Sequence, residues 1–96
     1  MRQQVIVSTE EPIALRPLLE AAIQSELRML ELGLSRTIER LRVFEQQYGM
    51  TSDEFERRFL AGEVDECLDF IEWAGELKTL QQLQIKQQAL QKVQMS

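Results

Sequence analysis

The sequence predicts an all-α fold: a long helix, a short helix and a second long helix, forming a helical hairpin or coiled-coil-like bundle behind a short extended N-terminal arm. Three observations predict it. Ile23, Leu27, Leu30, Leu34, Thr37, Leu41, Phe44 and Tyr48 follow one another in alternating steps of four and three, which is a heptad seam with a single polar member, Thr37. Residues 48–62 read as a helix end, a tight turn and a short helix that stops at a glycine. Phe70, Trp73, Leu77 and Leu80 then form a second apolar stripe at helical spacing.

Residues 1–16 are predicted to be an extended arm and loop, and residues 17–96 a single helical domain. In the arm, Gln3-Gln-Val-Ile-Val-Ser8 is β-branched enough for a strand, yet one strand alone is not a stable sheet. Thr9-Glu-Glu-Pro12 reads as a loop, and Pro17 suits the first turn of a helix because its missing N–H is not needed there. The first helix is expected over 17–48, with Leu19 and Ile38 widening its seam toward a core-facing stripe. Gly33 weakens it by about 1 kcal/mol relative to alanine. It marks a kink, a close helix contact, or a break capped by Ser35; the unbroken phase of the seam favours one continuous helix.

Gly49 can adopt the left-handed conformation that closes a helix. Thr51 is a good N-cap, Glu54 three residues on predicts a capping box, and Met50 with Phe55 predicts a hydrophobic staple. The short helix, about 52–61, places Phe55 and Phe59 on one face, and Gly62 ends it. The last helix is expected over about 66–93. Its first half carries Phe70, Trp73 and Leu77 beside Ile71 and Ala74, and its second half is rich in glutamine. Phe55, Phe59, Phe70, Trp73 and Leu77 are the expected core.

A chain of 96 residues is one domain near the small end of what a single core stabilises. Its net charge of −5 is unevenly spread. Residues 1–49 carry six arginines and seven glutamates, residues 50–76 nine acids against two arginines, and residues 77–96 three lysines and no acid. An acidic middle repels phosphate and suits a basic protein. No apolar run approaches a membrane span, and the first dozen residues lack a signal peptide's basic start and apolar run. The single cysteine, Cys67, is expected as a small apolar residue on a helix, and a chain without an internal disulfide pair fits a cytoplasmic location.

The sequence contains no histidine, which removes the commonest general base and metal ligand. One cysteine without histidine cannot form a thiolate–imidazole pair. The four glycines are scattered, so no phosphate loop is present. The expectation is a non-enzymatic protein with no catalytic residue, no metal and no cofactor.

The residues Glu31-Leu-Gly-Leu34, Thr37, Arg40-Leu41, Phe44-Glu45, Tyr48-Gly-Met50, Phe55, Phe59, Gly62 and Asp69-Phe-Ile-Glu-Trp-Ala-Gly-Glu76 resemble a group of small helical proteins of archaea and cyanobacteria. Their coding regions often sit beside a second small gene, and they resemble the antitoxin half of a two-gene toxin–antitoxin module. The resemblance covers about residues 23–93. It implies a helical protein that binds and neutralises a partner, and it supplies no catalytic residue.

The expected function is therefore binding of a small basic protein through an acidic helical face: Glu63, Asp65, Glu66, Asp69, Glu72 and Glu76. Helix-dipole compensation accounts for Asp65, Glu66 and Asp69 without a partner but not for Glu72 and Glu76, because that effect fades within one turn. The seam from Ile23 to Tyr48 is expected to join copies into a homo-oligomer. Two alternatives stand beside this reading. One is a structural coiled-coil adaptor. The other is a ribbon-helix-helix DNA-binding regulator that would use residues 3–8 as ribbon and helices on either side of Gly33; with Arg2 the one basic residue beside that ribbon, nucleic acid is the weaker partner.

Overall fold

The computed structural model describes residues 14–95, so the predicted strand-like arm lies outside the described residues. Three helices follow in order: α1 (Leu15–Tyr48), α2 (Ser52–Leu60) and α3 (Leu68–Met95). The long–short–long all-α architecture is the one the sequence predicts. Leu15 and Arg16, expected in the loop, belong to α1 instead. Pro17 still falls in the first turn, where no backbone donor is lost.

Helix α1 runs without interruption through Gly33. The two helices that a ribbon-helix-helix reading places on either side of that glycine are one rod. A methyl group at Gly33 would stand 3.4 Å from Leu83 Cδ1 of α3, an ordinary contact with the end of a side chain, so larger residues and not alanine are excluded. Gly33 is thus the point where the two long helices approach closely.

The turn into α2 is built largely as its residues dictate. Gly49 closes α1 at φ 66°, its N–H donating to the Glu45 carbonyl at 2.9 Å. Thr51 caps α2 by accepting from the Glu54 N–H at 3.1 Å. The return half of the predicted capping box, from the Glu54 carboxylate to the Thr51 N–H, is absent among the described hydrogen bonds. The Glu54 carboxylate turns to Arg57 and Arg58, and Glu45 reaches across from α1 to accept the Ser52 N–H at 2.8 Å. At the other end Gly62, at φ 71°, forms a Schellman motif: its N–H reaches the Phe59 carbonyl at 3.1 Å, and that of Glu63 the Arg58 carbonyl at 2.8 Å.

Helix α3 folds back antiparallel along α1. Tyr48 meets Asp69, Arg40 meets Glu76, Gly33 meets Leu83, and Ile23 lies near Val93. The seam residues Leu27, Leu30, Thr37 and Leu41 are buried, and Ile23, Leu34, Phe44 and Tyr48 half-buried, within a single chain. The seam assigned from sequence to contact between copies is therefore covered by α3.

The aromatic core sits where all three helices meet. Phe55 and Trp73 are both 0% exposed, with ring centroids 4.0 Å apart and planes 1° from parallel. Trp73 also stacks on Phe44 at 5.5 Å, and Leu41 and Leu77 close the cluster. Met50 and the predicted core residues Phe59 and Phe70 pack around it, half-buried. The indole N–H of Trp73 donates to Ser52 Oγ at 3.0 Å. That bond lets a polar ring edge be buried without losing a partner.

Candidate functional site

The end of the hairpin that holds α2, the loop 61–67 and the start of α3 gathers the acidic residues singled out from sequence. Helix α3 begins at Leu68, two residues after the expected start, so Asp65, Glu66 and Cys67 lie in the loop. Cys67 is exposed there, not packed on a helix.

The six acids divide into two groups. Asp69, Glu76 and Glu63 serve the fold. Asp69 accepts from the Tyr48 hydroxyl and, at 3.4 Å, from Gln47 Nε2. Glu76 pairs with Arg40 at 2.7 Å, tying α3 to α1. Glu63 stands 3.6 Å from Arg57. Asp65, Glu66 and Glu72 are exposed and have no ion pair among the described residues. The only two arginines of segment 50–76 are both held by Glu54, at 2.8 Å from Arg57 and 2.6 Å from Arg58. Those contacts pull the Glu54 carboxyl down to about 2. The Asp69 carboxylate, by accepting the Tyr48 hydroxyl, pushes that phenol up to about 12.

Apolar residues stand beside the unpaired acids. Leu60 is 78% exposed at the end of α2, Leu68 is 70% exposed at the start of α3, and Ile71 follows on its outer side. Neither leucine is marked by the sequence as a surface feature, because each merely ends or begins a helix. On one flank of α3 an open groove of about 470 Å³ runs between Val43 and Phe44 of α1 and Glu72, Gly75 and Thr79 of α3. On its other flank a smaller groove of about 250 Å³ lies against α2, lined by Phe59, Leu60 and Lys78. Gly75 is the residue that sequence reasoning passed over. It is an interior helix glycine, yet a methyl group there would meet nothing within 4 Å outside its own turn.

Among the described residues no group of three or more Cys, Asp or Glu is placed to hold a metal ion, and no helix is long and apolar enough to cross a membrane. The described residues present exposed acids without ion pairs, exposed branched side chains and open grooves. No family model, no curated protein and no solved structure matches this chain, so the resemblance to antitoxin components rests on the residues quoted for it.

Proposed function

We propose that this chain is a non-enzymatic protein-binding module whose acidic end engages a small basic protein, acting in the cytoplasm as the neutralising half of a two-gene pair. The observation that carries the reading is the pairing state of the acids. Asp65 and Glu66 stand exposed with no ion pair among the described residues, at the same end as the exposed Leu60 and Ile71. A charged rim next to apolar anchors is the composition of a protein-binding patch. Like-charge accumulation also steers a cationic partner toward that end. Glu76 and Asp69, bonded within the chain, are scaffold in this reading and not contact residues.

The test is co-expression with the product of the adjacent gene, comparing the parent with the Asp65→Lys/Glu66→Lys variant. Neither carboxylate makes an ion pair among the described residues, but both lie beside the α3 N-terminus, where lysine is unfavourable, so circular dichroism first establishes that the variant is folded. Loss of co-purification and of growth protection supports the proposal. A folded variant that binds and protects as well as the parent refutes it.

A further inference from the structure

The hairpin is strongly elongated. Its radius of gyration is 19.5 Å, against about 12–13 Å for a compact chain of this length. Few large apolar side chains are buried in one chain, and many on its surface are open: Leu18, Met29, Leu32 and Val43 on α1, Leu68, Ile85 and Val93 on α3. These are not spread evenly. Val43 lines the groove that contains Gly75 and Thr79. Leu18, Met29 and Leu32 precede Val43 by 25, 14 and 11 residues, which keeps all four on one side of α1. Gly75 and Thr79 lie on the opposite side of α3 from Ala74 and Leu77, which face α2. At the end where α2 packs, one flank of the hairpin is therefore covered, and the opposite flank is open there, with Val43, Phe44 and Gly75 set among Arg40, Glu72 and Glu76.

The open flank of α3 has an internal symmetry. Counted outward from Thr79, the residues on that face are Gly75 and Leu83 four steps away, Glu72 and Lys86 seven steps away, and Leu68 and Leu90 eleven steps away. These spacings keep one helix face. If a second α3 lies antiparallel with Thr79 against Thr79, each pair becomes a contact. Glu72 meets Lys86, Leu68 meets Leu90, and Gly75 lies opposite the backbone of α3 at Leu83, whose side chain packs toward Gly33 of its own chain. Glu72 and Lys86 are both exposed, with no ion pair among the described residues. Packing within the chain gives Gly75 no reason to lack a side chain, and a helix-interior glycine costs about 1 kcal/mol relative to alanine. A partner helix seated on it supplies the reason.

We propose that two copies of this chain pair through the flank opposite α2, in an antiparallel crossing of α3 on α3 centred on Thr79, giving a four-helix bundle. A two-fold axis requires this kind of self-complementary patch. The flank is long enough. Centred on Thr79, which lies across from Thr37 of α1, the overlap runs about 11 residues to each side, about 33 Å, and two helices are about 20 Å wide, so each copy offers roughly 660 Å², inside the range of about 600–1,000 Å² per partner. A standard stable interface uses about 800 Å² per partner. Charge favours the antiparallel sense, because the acidic residues 50–76 of one copy then lie beside the lysine-bearing residues 77–96 of the other. The pairing does not rest on the partner-binding proposal and leaves Asp65 and Glu66 free, so either can fail alone.

Sedimentation velocity on the parent chain and on Glu72→Lys, Lys86→Glu and the doubly exchanged variant tests it, with helical content checked by circular dichroism. The parent is expected to be a dimer at micromolar concentration. Each single reversal, present twice by symmetry, is expected to weaken dimerisation about tenfold or more, and the double exchange to restore it. In a Cys67→Ser background, Thr79→Cys is expected to cross-link spontaneously to a covalent dimer under mild oxidation, and Lys78→Cys to do so far less. A parent that stays monomeric at high micromolar concentration, single reversals that leave the dimer intact, an exchange that fails to restore it, or no preference for position 79 would each overturn the proposal.

Discussion

The hydrogen bond between Trp73 and Ser52 gives a quantitative test of the core. Trp73 is 0% exposed and Ser52 8% exposed, and the indole N–H reaches Ser52 Oγ at 3.0 Å. Ser52→Ala removes the acceptor and leaves a buried donor with no partner, a loss of about 1–3 kcal/mol. Alanine in the first turn of α2 keeps the backbone N–H that Glu45 accepts, so the cap survives. For a domain of this size a loss of 1 kcal/mol lowers Tm by about 4–8 °C. The measurement is thermal and urea unfolding followed by far-ultraviolet circular dichroism, for Ser52→Ala, Trp73→Phe and the double variant. In the Trp73→Phe background the donor is already gone, so Ser52→Ala should cost much less there than in the parent. Equal costs in both backgrounds would show that the hydroxyl acts through something other than the indole and would refute the reasoning.

Gly33→Ala should raise stability by up to about 1 kcal/mol, because the new methyl reaches only the mobile end of Leu83 at 3.4 Å, whereas Gly33→Leu should lower it; urea midpoints check both. Thr51→Ala should cost about 1 kcal/mol by removing the oxygen that accepts the Glu54 N–H, read in the same way. Glu54 has its folded pKa lowered from 4.5 to about 2 by Arg57 and Arg58. Its contribution is therefore fully present above pH 4.5 and is lost as pH falls toward 2, and Glu54→Gln should remove that part of the acid dependence. Tyr48 has its folded pKa raised from 10.0 to about 12. Its contribution holds below pH 10 and is lost as pH rises toward 12, and Tyr48→Phe should flatten unfolding curves in that window.

Local chemistry was legible in the sequence where one residue type has one conformational use. Gly49, Thr51 and Gly62 each mark a backbone event that few other residues perform, and all three sit where expected. The continuity of α1 was legible from the phase of its seam, and the aromatic core from the spacing of Phe55, Phe59, Phe70 and Trp73. What covers the seam was not legible. Heptad spacing specifies an apolar stripe and its pitch but not whether the covering helix belongs to the same chain. The glutamine-rich half of α3 hides the answer, because Leu83 and Leu90 stand too far apart among polar residues to announce a stripe. The acidic face was legible as composition only. Arg40 lies 36 positions from Glu76, and Tyr48 lies 21 from Asp69, so their pairings arise only once the hairpin closes. The return bond of the capping box failed for a similar reason: Arg57 and Arg58 offer the Glu54 carboxylate stronger partners than the Thr51 N–H, while Glu45 accepts the next N–H along, that of Ser52.

Both the partner-binding end and the self-pairing flank exist only if α3 covers the seam of its own chain. Spin labels at Glu20 and Gln94, placed by Glu20→Cys/Gln94→Cys in a Cys67→Ser background and diluted with unlabelled protein, test this most directly. Both positions are exposed at the far end of the hairpin and border the same hollow between α1 and α3. A closed hairpin places the labels within about 20 Å, two helix diameters, in a narrow distribution. If α3 extends away and covers a neighbour's seam instead, the two sites within one chain separate by more than about 60 Å, since each long helix alone contributes about 40 Å or more. A dominant population at that long distance would contradict the account.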